Sequence, residues 1–276
     1  MTRRWLAVVA LLATATAWGA TFTLVKNTIA RMSPEAFIAC RFTLAGLILI
    51  VVAHRRITRA LIVPGLALGT LVFAGYWAQT RGLMTISPSR SAFLTGLYVV
   101  MVPFFQWRTT GRPRLHVWVA SVLAVIGTTI LIGGGFSAHA TFGDALTLFC
   151  AAAFAAHVVF SARWSTTENA AALAGVQVLF VGIAAAPLAL FGPRTDWTPA
   201  IAITIAFTAI VTTALAFAAL MWGQAHVSAT EAAVILSFEP VAAAITSIAF
   251  EGEPLTILFV LGALLILAAM LLSQMR

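Results

Sequence analysis

Most of this chain lies in ten apolar stretches of about 20 residues each, and that pattern decides what it can become. The stretches run over residues 5–25, 34–53, 63–84, 88–107, 115–134, 142–163, 169–190, 199–222, 229–250 and 254–274. A helix of that length spans the hydrocarbon of a bilayer. The connections are short and carry turn and cap residues: "RMSPE", "AHRRITR", "TISPSR", "RTTGRPR", "RWSTTE", "GPRTDWTP", "HVSATE" and "EGEP". No soluble domain fits between them. Only 9% of the 276 residues are charged and 62% are hydrophobic, whereas a soluble globular protein carries about 25% charged residues. The chain therefore reads as an all-α integral membrane protein with ten transmembrane helices.

The first run follows "MTRRW", is too long for the apolar core of a signal peptide and lacks a clear cleavage site, so it reads as a retained first helix. Cys40 and Cys150 sit inside apolar runs without a metal-ligand pattern and read as small buried side chains. The net charge of +8 comes from basic residues at the ends of the runs. That is an orientation signal rather than a nucleic-acid surface. With the N-terminus inside, the inner segments hold ten Lys/Arg (Arg3, Arg4, Arg55, Arg56, Arg59, Arg108, Arg112, Arg114, Arg163 and Arg276). The outer connections hold five: Lys26, Arg31, Arg81, Arg90 and Arg194. The excess predicts a multi-pass protein of the inner or plasma membrane with both termini cytoplasmic.

The chain also resembles itself. Shifted by 136 residues, Gly46 meets Gly182, Arg41 meets Gln177 and Thr21 meets His157. Shifted by 141, Gly82 meets Gly223, Ser87 meets Ser228, Arg90 meets Glu231, and Gly111-Arg112-Pro113 meets Gly252-Glu253-Pro254. Spans one to five pair with six to ten, which divides the chain into five-helix repeats at 1–136 and 137–276. Repeats with an odd number of spans insert in opposite orientations. Inverted repeats around a central cavity are the signature of alternating-access transporters.

Three segments carry a family resemblance. "SATEAAVILSFEPVAAAITSIAFEGEPLTILFVLGALLILAAMLL" (228–272) resembles the closing spans of the drug/metabolite transporter superfamily, in its EamA family of ten-helix exporters. "WGATF" (18–22) is similar to that family's first helix and "SPSRSAFLTGLYVVMVP" (87–103) to its fourth. The resemblance implies a bundle around a central cavity and export of amino acids and related metabolites, one branch handling aromatic amino acids. The fourth span departs from the repeat, because Tyr98 and Val99 stand where the ninth has Glu239 and Pro240.

Burying an ionisable side chain in a span costs about 2.5–3.5 kcal/mol even on the lenient insertion scale, so Glu239 should face a cavity or a partner. It reads either as a group that meets a substrate ammonium or a proton, or as a structural carboxylate bonded to a neighbouring helix. Pro240 removes a backbone donor beside it and marks a hinge, with Pro103 as a second hinge candidate. Arg41, inside the second span, can snorkel, form a structural ion pair or meet a substrate carboxylate. His157, with Phe160 and Trp164 at helical spacing, is an intramembrane site candidate. Trp18 and Thr21, then Tyr76, Gln79 and Thr80, share helix faces. Thr95 and Tyr98 belong to a candidate cavity stripe, and Ser237 completes the set beside Glu239.

Enzyme motifs such as HExxH and GxSxG are missing from the sequence, as are paired intramembrane aspartates, a Walker A motif and a filter-like repeat. No cofactor or metal is expected. The expectation is a secondary transporter, its partners a small molecule and the bilayer, with uniport and proton antiport both open. Amino acids of broad specificity are the first substrate reading and drug-like compounds or other metabolites the alternative. One chain supplies both repeats, so a monomer suffices.

Overall fold

The computed structural model describes residues 3–131, 140–193, 195–251, 255–273 and 275, and every regular element among them is helical. The first predicted span is two helices, α1 (Arg3–Gly19) and α2 (Phe22–Ile29). The second is α3 (Pro34–Ala53), ending in a 3₁₀ turn at His54–Arg56, and the third is α4 (Arg59–Gly82). The fourth is again divided, into α5 (Pro88–Gly96) and α6 (Tyr98–Thr110). Then come α7 (Leu115–Leu131), α8 (Phe142–Trp164) and α9 (Ala170–Ala189). The eighth span starts as α10 (Pro199–Ala209), passes through a π-helical segment, Ile210–Leu215, and ends as α11 (Ala216–Gln224). The ninth is α12 (Ala229–Leu236) and α13 (Glu239–Glu251), and the last is α14 (Ile257–Ser273). Seven of these stretches are long and apolar enough to cross a membrane, and α7 and α14 are shorter apolar helices. The expected boundary at 136/137 and the Gly252-Glu253-Pro254 motif lie outside the described residues.

The connections end where capping chemistry says they should. Ser33, Ser87 and Thr198 each precede a proline, and each side-chain oxygen accepts the backbone N–H three residues on. Proline suits the first helical position because its missing donor has no intrahelical partner there anyway. Thr141 with Asp144, and Ser228 with Glu231, form reciprocal capping boxes that start α8 and α12.

The breaks in the fourth and ninth spans have local causes. Pro240 has no N–H to offer the Leu236 carbonyl, so α12 cannot run on into α13. The turn between them closes with Phe238 N–H donating to the Ile235 carbonyl (3.2 Å) and Ser237 Oγ to that of Val234 (2.5 Å). Pro240 then falls in the first turn of α13, where a missing donor costs little. The fourth span breaks at Leu97, next to Gly96. Pro103, expected as a hinge, instead lies inside the continuous α6.

Small residues let these helices meet backbone to backbone. α3 packs on α9 through Gly46 and Gly182. A Cβ built on Gly46 would stand 2.5 Å from Leu179 Cα, and one on Gly182 2.5 Å from Thr43 N. α7 meets α14 where Gly127 and Gly262 approach each other's carbonyls. Gly82 of α4 lies against Gly143 and Thr147 of α8, and Gly223 of α11 against Ala7 and Leu11 of α1. Large apolar side chains such as Val51, Val63, Phe149, Ile183, Ile203 and Leu264 cover the outside. In water so much exposed apolar surface would be an association hazard, and in lipid it is the required face.

Candidate functional site

A partly open cavity lies within the bundle. Arg41, Phe217, Leu236 and Glu239 are among its lining residues. It rises between α2 and α4 as far as Val25 and Leu83, toward the end of the bundle that holds the 30–33 and 83–87 connections. At that end Lys26 of α2 donates its ammonium to the Leu83 and Ile86 carbonyls, tying α2 over the end of α4.

Of the residues the sequence singled out, Trp18, Thr21, Arg41, Tyr76, Gln79, Thr80, Tyr98, His157 and Glu239 all line this cavity. Thr95 lies behind the wall, where its hydroxyl accepts from Gln79 Nε2 (2.9 Å). Ser237 is turned back into the break before α13. Phe160 and Trp164 are not part of the lining. Their rings stack on each other, centroids 5.3 Å apart, near the far end of α8. The helical face that leads from His157 leaves the cavity within one turn.

Arg41 neither snorkels nor forms an ion pair. It is 4% exposed, and among the described residues no carboxylate lies within ion-pair distance. Nε donates to Thr213 Oγ1 (2.6 Å), and Nη2 to Thr212 Oγ1 (2.9 Å) and the Thr212 carbonyl (3.2 Å). The rings of Phe37, Phe42 and Tyr76 lie with centroids 5.8, 5.4 and 5.4 Å from the guanidinium carbon. Threonine oxygens and aromatic rings stabilise the cation without neutralising it.

Glu239 is 8% exposed, begins α13 and lines the same cavity. Among the described residues no hydrogen bond or ion pair reaches its carboxylate. The structural-carboxylate reading, which required a bond to a neighbouring helix, has no partner to name. Gly19 makes the wall possible here. A Cβ on it would stand 2.2 Å from the Glu239 carbonyl oxygen, so α1 approaches the break only as glycine.

Trp18, Tyr76, Phe154 and Phe217 give the cavity an aromatic lining, with Phe42 packed behind it. Phe42, Tyr76, Phe154 and Phe217 contact one another edge-on or tilted, and Trp18 joins Phe217 at 5.7 Å. Trp18 Nε1 donates to the Thr212 carbonyl (2.8 Å). His157 hydrogen-bonds through Nε2 to Gln177 Oε1 (2.7 Å), with Ser161 Oγ at 3.3 Å. Gln177 is fully buried, and its amide nitrogen has no hydrogen-bond partner among the described residues. Sequence reasoning missed Gln177, Phe154, Phe217, Thr212 and Thr213 as site residues. Only Gln177 left a signal, its position opposite Arg41 in the repeat.

Three described ion pairs lie away from the cavity; Arg81 of α4 bonds Glu35 of α3 at 2.6 Å, and the other two join the halves of the chain. Arg90 at the start of α5 grips Asp144 of α8 with Nε and Nη2, at 2.5 and 2.7 Å. Arg4 of α1 bonds Glu231 of α12 at 2.7 Å. Arg90 and Glu231, repeat-mates in sequence, do not pair with each other, and each takes a partner from the other half of the chain.

Comparison with known proteins gives a consistent result. A model of the EamA-like transporter family matches the chain twice, over residues 5–133 and 141–275. An uncharacterized transporter of Archaeoglobus fulgidus is 33% identical over 98% of this chain and 85% of its own length. The uncharacterized transporter YvbV of Bacillus subtilis is 23% identical over 94% of this chain and 88% of its own. A solved structure described only as a protein superposes with a TM-score of 0.83 over 97% of both chains. At 16% identity it speaks for the fold alone.

Proposed function

The chain belongs to the EamA-like transporter family, and from that premise we propose that it exports amino acids by alternating access, with both termini cytoplasmic. That it is a multi-pass membrane transporter of small molecules follows from the family and from the apolar helices. The finer reading rests on one observation. Arg41 and Glu239 present a guanidinium and a carboxyl group to the same aromatic cavity, and neither meets an ion-pair partner among the described residues. A zwitterion supplies both missing partners, its carboxylate for Arg41 and its ammonium for Glu239. The ring-lined cavity accepts varied side chains, aromatic ones included, because it fixes few polar contacts.

Alternating access is supported by contacts that repeat between the halves. The Gly82 contact with Gly143 and Thr147 becomes, under the two offsets, the Gly223 contact with Ala7 and Leu11. The Gly46–Leu179 contact becomes Gly182–Thr43. The break at Leu97 has its image at Phe238, and the Ser87 cap at Ser228. The double family match points the same way. Two similar halves packed through mirrored contacts can exchange conformations, which opens the shared cavity to each side in turn. The Glu239 carboxylate is also the natural proton carrier if export is coupled to a pH gradient.

The test is uptake of radiolabelled amino acids into liposomes holding the purified protein, with and without an imposed pH gradient. Saturable uptake that other amino acids compete with is the expected result. Folded protein that takes up none of them overturns the amino-acid reading and turns attention to drug-like compounds.

A further inference from the structure

The eighth span does one thing its repeat-mate does not. Residues Ile210–Leu215 are π-helical, while the matching segment of the third span, 69–74, is ordinary α-helix inside α4. A π-turn adds a residue to the turn and is common at functional sites. Here the extra residue brings two neighbouring hydroxyls to one carbonyl. Thr212 Oγ1 donates to the Thr208 carbonyl at 3.1 Å, and Thr213 Oγ1, five residues on, to the same oxygen at 2.9 Å. A threonine hydroxyl has one proton to give. Both protons are committed to Thr208, so both oxygens face Arg41 as acceptors and hold its Nε and Nη2. The repeat-mates of Thr212 and Thr213 are Leu71 and Val72, and the repeat-mate of Arg41 is Gln177. The device exists in one half only.

We infer that the π-segment threonines, Thr212 and Thr213, are positioning residues that set the Arg41 guanidinium as the subsite for the substrate carboxylate. This rests on the zwitterion reading above and deepens it. A guanidinium is a planar fork with donors in fixed directions. Thr212 and Thr213 take the Nε and Nη2 donors and fix the plane, so the carboxylate has to meet that plane at the Nη1 N–H groups. An ammonium in the same place carries the charge without the fork.

The experiment compares uptake of phenylalanine and of phenylethylamine, its decarboxylated counterpart, in proteoliposomes. The readout is the ratio of the two uptake efficiencies. Wild-type protein should favour the amino acid. Thr213→Val, which installs the residue the other half carries, should lower the ratio roughly tenfold or more, the usual scale for a hydrogen bond to a charged group. Thr213→Ser should restore it. A merely structural role for Thr213 would depress both uptakes and leave the ratio alone. Should Thr213→Val fail to fold, Arg41→Lys answers the same question, because it keeps the charge and removes the fork. A wild-type preference that survives in either folded variant overturns this inference and leaves the zwitterion reading standing. Wild-type protein that takes up neither compound, or both equally well, overturns both.

Discussion

Replacing Gly182 with alanine places a methyl group where the opposite helix already stands. The added Cβ would lie 2.4 Å from Thr43 Oγ1, 2.5 Å from Thr43 N and 2.8 Å from Thr43 Cα. Two of those three atoms are backbone, so no rotamer change relieves the clash. Non-bonded carbons rest about 3.5–4.0 Å apart, so α3 and α9 must separate by roughly 1 Å. Overpacking of this kind costs about 1–3 kcal/mol. Alanine returns roughly 0.8–1.0 kcal/mol in helix propensity. The expected net loss for Gly182→Ala is therefore about 0–2 kcal/mol, and the same for Gly46→Ala, whose Cβ meets Leu179 Cα, Cβ and N at 2.5–2.7 Å. The two contacts sit one turn apart in one interface. Once the first methyl has separated the helices, the second finds room, and the double variant should lose less than the sum. Gly96→Ala is the control, since its nearest neighbour is Pro240 Cγ at 3.8 Å. Equilibrium unfolding in mixed micelles measures all four variants. Gly46→Ala and Gly182→Ala as stable as Gly96→Ala would refute the close-packed reading of this interface.

Glu239→Gln keeps size and removes charge. If this carboxylate carries the coupled proton, export loses its pH dependence while folding is retained, which flux measured across a series of external pH values will show. Glu231→Arg should weaken transport by setting two arginines together, and Arg4→Glu in the same chain should recover it. A double-mutant cycle on stability should give a coupling of about 1 kcal/mol, the scale of a part-exposed ion pair. Gln177→Leu removes the main partner of a buried imidazole and should cost about 1–3 kcal/mol on unfolding, with Gln177→Asn recovering little because the shorter amide falls short of His157.

Seven of the ten expected spans appear among the described residues as helices long and apolar enough to cross a membrane, legible in the sequence because lipid imposes a length and a polarity. The capping residues explain their ends almost to the residue, as at Ser33-Pro34 and Thr198-Pro199. The breaks were legible only in part. Pro240 announced one by its missing donor, but Leu97 and the Ala20–Thr21 break between α1 and α2 carry no proline, and Pro103, which does, interrupts nothing. Cavity residues were found where charge or a polar group stood out against an apolar span, as with Arg41, Gln79, His157 and Glu239. They were missed where the cavity uses ordinary core residues. Phe154 and Phe217 differ in no sequence property from Phe160, and only the direction of each helix face decides which of them meets the cavity. The π-segment left no signal in "IVTTAL", because an extra residue in a turn is a matter of register against the neighbouring helices.

The two ion pairs that join the halves carry a further consequence. In one pair the start of the fourth span brings the cation and the start of the sixth the anion. In the other the ninth brings the anion and the first the cation. The polarity is reversed between the halves. If two copies of the first half assembled, Arg90 would come to lie within a turn of Arg4 from the other copy. In two copies of the second half, Glu231 would come to lie near Asp144. Like pairs with like only against repulsion, and unlike halves attract at both ends of the bundle. In both pairs the first half brings the cation and the second the anion, so across these contacts the halves are complementary in charge where two copies of either would not be.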